Sequence, residues 1–199
     1  LKPKDAATLL LLDRDKERPA VLMGKRSSRH AFMPNVFVFP GGRKDSSDWR
    51  VKSDTRLNEA VVSKLMERTH SRFSHATAHS LAIAAARELH EETSLHLSKN
   101  GELFDLSHLR YIARAITPLG QNRRYDTRFF TCFCDEVEMD LSTLKDSNEL
   151  TELQWVDVQS PQNLDFPDIT ARILNHLRHS LNEDRTLPHT TKTLHISNK

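Results

Sequence analysis

Apolar positions along the chain follow two rhythms. Ala6–Leu12 (AATLLLL) and Ala20–Gly24 (AVLMG) are near-continuous apolar runs on either side of a charged turn, DRDKERP, and predict two buried strands. A basic loop, KRSSRHAFMPN, leads into FVFPGG, a short strand ending in Pro40-Gly41-Gly42. Residues 57–70 carry Leu57, Val61, Val62 and Leu65 at helical spacing and predict a helix that packs on something. A further helix starts at Ser80 or just before it and runs to about Thr93. YIARAI (111–116) and RFFTCF (128–133) read as paired strands joined by the loop PLGQNRRYD, and LQWVDV (153–158) as another strand. Residues 166–181 place Pro167 near a first turn and line Ile169, Ile173, Leu174 and Leu177 along one stripe, which predicts a C-terminal helix. Residues 182–199 are polar with little pattern, and a disordered or partner-docked tail is expected there. Strands, then helix, then strands, then helix, with no internal repeat, point to an α+β sandwich. A single domain is expected over 1–181.

Composition narrows the class without naming it. A chain of 199 residues supports one well-packed domain, or one domain with elaborations. The formal net charge of +2 and the absence of a long basic stripe give no reason to expect nucleic acid as a partner. No run approaches the roughly 18 apolar residues of a membrane helix, and the apolar core of residues 1–15 is too short for a signal peptide. A start at Leu1 rather than Met suggests that a few residues precede it. Cys132 and Cys134 stand at i, i+2 and face one side of a strand, so reduced thiols in a cytoplasmic protein are expected.

The stretch AIAAARELHEET at 82–93 is harder to explain as ordinary helix. Each residue advances a helix by about 100°, so Glu88 lies within about 60° of Glu91 and about 40° of Glu92. Like charges so spaced repel, and Arg87 offsets one of three. Hard divalent cations prefer carboxylate oxygens, and Mg2+ shares its sites with substrate phosphates; a bound metal explains the cluster economically, and a solvated acidic face is the alternative that the bare spacing leaves open. Gly41 and Gly42, upstream, leave backbone free to approach a metal or phosphate.

RELHEETSL resembles the second half of the Nudix box, G-x5-E-x7-R-E-U-x-E-E-x-G-U with U apolar. Gly42, Arg87, Glu88, Leu89, Glu91, Glu92 and Leu95 match it. The resemblance covers roughly residues 5–181 and implies an α/β/α sandwich with a mixed sheet. Three departures stand out. The stretch from Gly42 to Arg87 is longer than the box by about 31 residues, which implies an inserted helical segment at about 43–78. The box's first glutamate falls on His79 counting back from Arg87, or on Asp48 counting forward from Gly42. Its closing glycine is Ser94, which loses the easy left-handed stop at a cost of about 1 kcal/mol. FMP…VFPGG with Asp45 and Asp48 further resembles a branch that includes peroxisomal coenzyme A diphosphatases, although the internal glycine of the coenzyme A signature is missing.

The resemblance implies metal-dependent hydrolysis of a nucleoside diphosphate linked to another group, coenzyme A or acyl-coenzyme A among them. Mg2+ or Mn2+ is the implied cofactor, held by Glu88, Glu92 and Glu91 with a carbonyl of Gly41 or Gly42. Arg87 orients a glutamate. The base is Glu88 or a later loop carboxylate, Glu149 or its neighbour Glu152. Arg26, Arg29 and Arg43 around FVFPGG, and Arg123, Arg124 and Arg128 around the later hairpin, are candidate phosphate ligands. Phe32, Phe37 and Trp155 are candidates to stack on a base, and His30 is an ordinary loop histidine. A Nudix-fold binding or regulatory module without turnover, and an RNA-directed enzyme, are the other readings. Homodimerisation is the family tendency.

Overall fold

β1 (Lys4–Asp13) has no polar face because both faces of its sheet are covered. Side chains alternate along a strand. Leu9 and Leu11 join a core with α1 (Glu59–Met66) and α2 (His75–Thr93), whereas Leu10 and Leu12 join a core with α3 (Asp168–Glu183). The computed structural model describes residues 2–15, 18–28, 33–98, 100–161 and 164–197. It is an α/β/α sandwich, so the α+β expectation holds. Arg29, His30 and Phe32 lie outside the described residues.

The remaining strands are β2 (Ala20–Arg26), β3 (Phe37–Val38), β4 (Gly41–Arg43), β5 (Arg110–Ile116), β6 (Tyr125–Phe133), β7 (Leu150–Asp157) and β8 (Leu194–Ser197). They form one mixed sheet in the order β3-β2-β1-β6-β5-β8, with β4 paired to β1 and β7 to β2. β1 runs parallel to β6, and β5 parallel to β8. Among the described residues no helix is long and apolar enough to cross a membrane.

Several elements differ from the expectation, each for a local reason. FVFPGG is two strands: β3 pairs with β2, then Pro40, which has no N–H to donate, separates it from β4 on β1. The Pro40 carbonyl still accepts from Leu9 N at 3.0 Å. α1 is shorter than 57–70, because Asn58 caps it by accepting from Ala60 N and the chain turns at Arg68 with φ 52°. α2 starts earlier than Ser80, at His75, because Ser74 accepts from Thr77 N. β6 begins at Tyr125 rather than 128, and α3 begins after Pro167.

The largest correction concerns residues 182–199. Of these, Leu187 and Ile196 are buried in the α3-side core, and β8 extends the sheet beside β5. An edge strand with one covered face needs an apolar residue only at alternate positions, and Leu194 and Ile196 supply them amid polar neighbours. Buried Arg110 ties the segment down by donating to the carbonyls of Leu187 at 2.7 Å and Thr186 at 3.4 Å.

Candidate active site

α2 brings its acidic turn beside β4. Gly41 N donates to Glu92 Oε2 at 2.8 Å. Gly42 lets the strand approach Glu88 so closely that a Cβ there would stand 2.5 Å from the carboxylate. Gly41 is equally constrained on its other side, where a Cβ would stand 2.5–2.7 Å from Thr8 and the Ala7 carbonyl. Two carboxylates are thereby held against bare backbone.

Arg87 organises the outer side of this turn. Its Nε and Nη2 donate to Asp48 at 2.9 and 3.4 Å, and its Nη1 donates to Glu88 Oε1 at 2.9 Å and Glu91 Oε2 at 2.8 Å. Nη2 also reaches the Arg43 carbonyl at 3.1 Å. Asp48 is fully buried, and it also accepts from Asp45 N at 2.7 Å. Burial disfavours the Arg87 charge, but Asp48 and Glu88 outweigh it and raise its pKa. Glu91 is exposed and turned toward Arg87.

Burial drives the pKa of Glu88 up to about 7, although Arg87 opposes the shift. Glu92 is pushed up to about 8 by burial, against the bond from Gly41 N. Such carboxylates are costly to ionise without a cation.

These groups open onto a cleft of about 430 Å³. It continues the α3-side core layer: Ala6 and Thr8, in step with Leu10 and Leu12 on β1, line it. Glu88, Glu92, Arg26, Arg43 and Glu149 share its walls. Burial lowers the Arg26 pKa, partly offset by Glu92.

A family model described as NUDIX domain matches residues 76–177, just over half of the chain. The chain belongs to the NUDIX domain family. A Caenorhabditis elegans protein assigned as nudix hydrolase 7 is 28% identical over 160 residues, 77% of this chain. The chain spans about half, 51%, of that relative's length. The crystal structure of a NUDIX hydrolase from Alicyclobacillus acidocaldarius superposes with a TM-score of 0.66 at 22% identity, over 99% of both chains. The NUDIX domain of Shewanella oneidensis NrtR, crystallised with ADP ribose, gives a TM-score of 0.56 at 12% identity over 91% of this chain and 90% of that one.

Within the Nudix domain, the two ways of counting to the box's first acid part company. Asp48 is the buried partner of Arg87, whereas His79 lies on α2 and takes no part in that network. Ser94 does adopt the left-handed stop, with φ 62° and ψ 0°, and its N–H donates to His90 O at 2.8 Å.

The structure separates the remaining candidates. Glu149 faces the cleft, and Glu152 instead pairs with Lys25 at 3.0 Å. Arg128 is not a phosphate ligand. Thr127 and Phe129 point into the cleft, so strand alternation sends Arg128 to the opposite face. There it is 2% exposed, donates to Asp5 at 2.9 Å and lies over the Phe73 ring. Arg124 donates to the carbonyls of Thr117 and Pro118 in its own hairpin. Phe37 is buried in the α3-side core, and Trp155 packs against the α2-side core. The reading from sequence missed the opposite wall of the cleft, made by the start of α3 and by Ile196 of β8.

Nudix hydrolases generally use divalent metal ions. Among the described residues no three His, Cys, Asp or Glu side chains converge as a ready ion site, and Arg87 holds Glu91 and one oxygen of Glu88 on the outer side. The donor set nevertheless fits a hard cation: two desolvated carboxylates and the backbone of Gly41 and Gly42 at one end of a cleft.

Proposed function

We propose that the chain is a metal-dependent Nudix hydrolase that cleaves the diphosphate of a nucleoside diphosphate linked to another group. One observation carries the reading: Glu88 and Glu92, both with pKa values raised by burial, stand against glycine backbone in a cleft that also holds Arg26, Arg43 and Glu149. The Shewanella neighbour's ADP ribose complex supports a ligand of this class.

In this reading Glu88 and Glu92 hold Mg2+ or Mn2+ with the backbone at Gly42, and Glu91 assists through its place beside Arg87. The bound ion would neutralise diphosphate charge and acidify water. Arg26 and Arg43 bind phosphate oxygens and orient the diphosphate across the cleft. Arg87, pinned by Asp48, fixes the rotamer of Glu88. Glu149 takes the proton from the attacking water: its carboxylate faces the cleft and, among the described residues, no side chain hydrogen-bonds it. Coenzyme A or acyl-coenzyme A as the linked compound and a homodimer belong to the same reading and rest on the sequence resemblance; a cytoplasmic setting rests on the free Cys132 and Cys134.

The test is hydrolysis of coenzyme A, acyl-coenzyme A, ADP-ribose, NADH, diadenosine polyphosphates and nucleoside triphosphates with Mg2+ and Mn2+. Intact protein and Glu92→Gln are compared. Metal-dependent product from the first alone is expected. A folded, metal-binding protein that turns over none of these compounds would favour a binding module.

A further inference from the structure

β8 is an edge strand of four residues, yet Ile196 within it is buried in the α3-side core and also lines the cleft. Ile196 reaches the cleft only in the observed register, with Leu194 beside Ala113 and Ser197 beside Ile116. Side chains alternate along a strand, so a slip of one residue would turn Ile196 away and present His195 or Ser197 instead. A strand this short has few ladder bonds with which to fix its register.

The chain entering β8 is held by side chains instead. Lys64 of α1 is half-buried and donates to three carbonyls, those of Tyr111 at 2.7 Å, Thr191 at 2.5 Å and His189 at 3.3 Å. Tyr111 belongs to β5, whereas His189 and Thr191 lie in the segment that runs into β8. Lys64 thus joins the two strands just before their pairing begins. Thr193 Oγ1 donates to the same Tyr111 carbonyl at 3.2 Å. An ammonium has three N–H donors and no acceptor, so three carbonyls use its full capacity. Bonds from a charged donor are also stronger than neutral ones.

The origin of this lysine gives the tether its reach. α1 lies between Gly42 and Arg87 in the chain and packs in the α2-side core, on the face of the sheet away from the cleft. Lys64 therefore comes round the β5–β8 edge from one layer and holds a strand whose Ile196 walls the other.

We propose that Lys64 is a positioning residue for the reaction: by tying β5 to the chain entering β8, it sets the register that keeps Ile196 in the cleft wall. The consequence for substrate rests on the hydrolase reading above, and the tether does not. Lys64 does not line the cleft, so it acts on substrate affinity and leaves the chemical step alone.

The test compares full-length wild type, Lys64→Met and Lys64→Arg. Amide hydrogen exchange is followed in residues 189–197 and in α2, and steady-state kinetics use the panel compound that wild type hydrolyses fastest. Lys64→Met keeps the aliphatic stem and removes all three donors. It should raise exchange of 189–197 by about 10-fold or more, the worth of charge-assisted hydrogen bonds, with α2 unchanged. KM should rise by about 10-fold, as for a lost apolar contact, while kcat stays within about 2-fold. Lys64→Arg retains charge and donors and should recover most of both. In an Ile196→Ala background Lys64→Met should add little to KM, because the wall it positions is already gone.

Unchanged exchange in Lys64→Met would overturn the tether. Raised exchange with unchanged KM, or fully additive effects with Ile196→Ala, would overturn the positioning role. Faster exchange in α2 with a fall in kcat would reduce Lys64 to a general part of the fold. Should Lys64→Met fail to fold, the shorter, uncharged Lys64→Gln is read by the same criteria. If wild type hydrolyses none of the compounds, the hydrolase reading fails, and exchange alone decides whether Lys64 holds β8.

Discussion

At one end of the cleft, Glu88 and Glu92 are set by successive turns of a single helix and by two glycines. At the other, Thr170 and Ile196 come from elements that meet only through the sheet. The first end is dense in charge, and its geometry is enforced by contacts too close for any side chain at Gly42. The second is mostly apolar, walled by Ala115, Phe129, Ile169 and Ile196. Chemistry that must stabilise charge needs fixed dipoles and carboxylates, whereas recognition of a neutral group needs shape and a few hydrogen bonds. The contrast predicts that substitutions at the first end act on turnover and those at the second on substrate affinity.

The largest effect is expected at Glu92. Glu92→Gln keeps the shape but removes the charge that Gly41 N orients, and product release should fall below detection in the panel assay. Glu149→Gln should follow, lowering turnover by about 10²–10⁴-fold with little change in KM, the range for loss of a general base. Glu152→Gln, which breaks only the Lys25 pair, should leave the rate near wild type. If Glu149→Gln and Glu152→Gln behave alike in steady-state kinetics, the base lies elsewhere, with Glu88 next in line.

A smaller loss, about 10–100-fold, is expected for Asp48→Asn, as for other residues that orient a metal ligand. The neutral amide leaves Arg87 with Glu88 and Glu91 alone, so apparent metal affinity should weaken together with rate. A metal titration of activity checks this. Unchanged metal affinity would mean that Asp48 merely anchors the chain at residues 45–50.

Acidity offers a test without substrate. The folded pKa values of Glu88 and Glu92, about 7 and 8, lie above their ordinary value of 4.5. Their contribution to stability is therefore complete below that ordinary value and declines as pH rises from 4.5 through 7 to 8, because the unfolded state releases protons that the folded state still retains. Metal-free protein should lose melting temperature across that window, and Glu92→Gln should lose less. Added Mn2+ at pH 8 should restore the wild type by binding the ionised form. The smallest effect is expected at Ser94, whose left-handed conformation favours glycine. Ser94→Gly should raise stability by about 1 kcal/mol in urea denaturation without altering kinetics.

Much of the acidic end was legible because its information is local. Three glutamates at i, i+3 and i+4 share a face of any helix, whatever surrounds it, and the glycines precede them in an unambiguous FVFPGG. Asp48 was reachable by counting from Gly42, but only the bond to Arg87 chose it over His79. Arg128 shows the limit of proximity in sequence: it sits in the right hairpin, yet strand parity turns it into the opposite core.

The sequence by itself determined the layers of the sandwich and the residues of the acidic helix, since helical and strand periodicity depend on backbone geometry alone. Tertiary structure decided which carboxylates face the cleft, where Arg128 goes and what residues 194–197 become. An edge strand such as β8 draws its order from hydrogen bonds to β5 and from a core it covers on one side. Its own four residues, LHIS, announce neither.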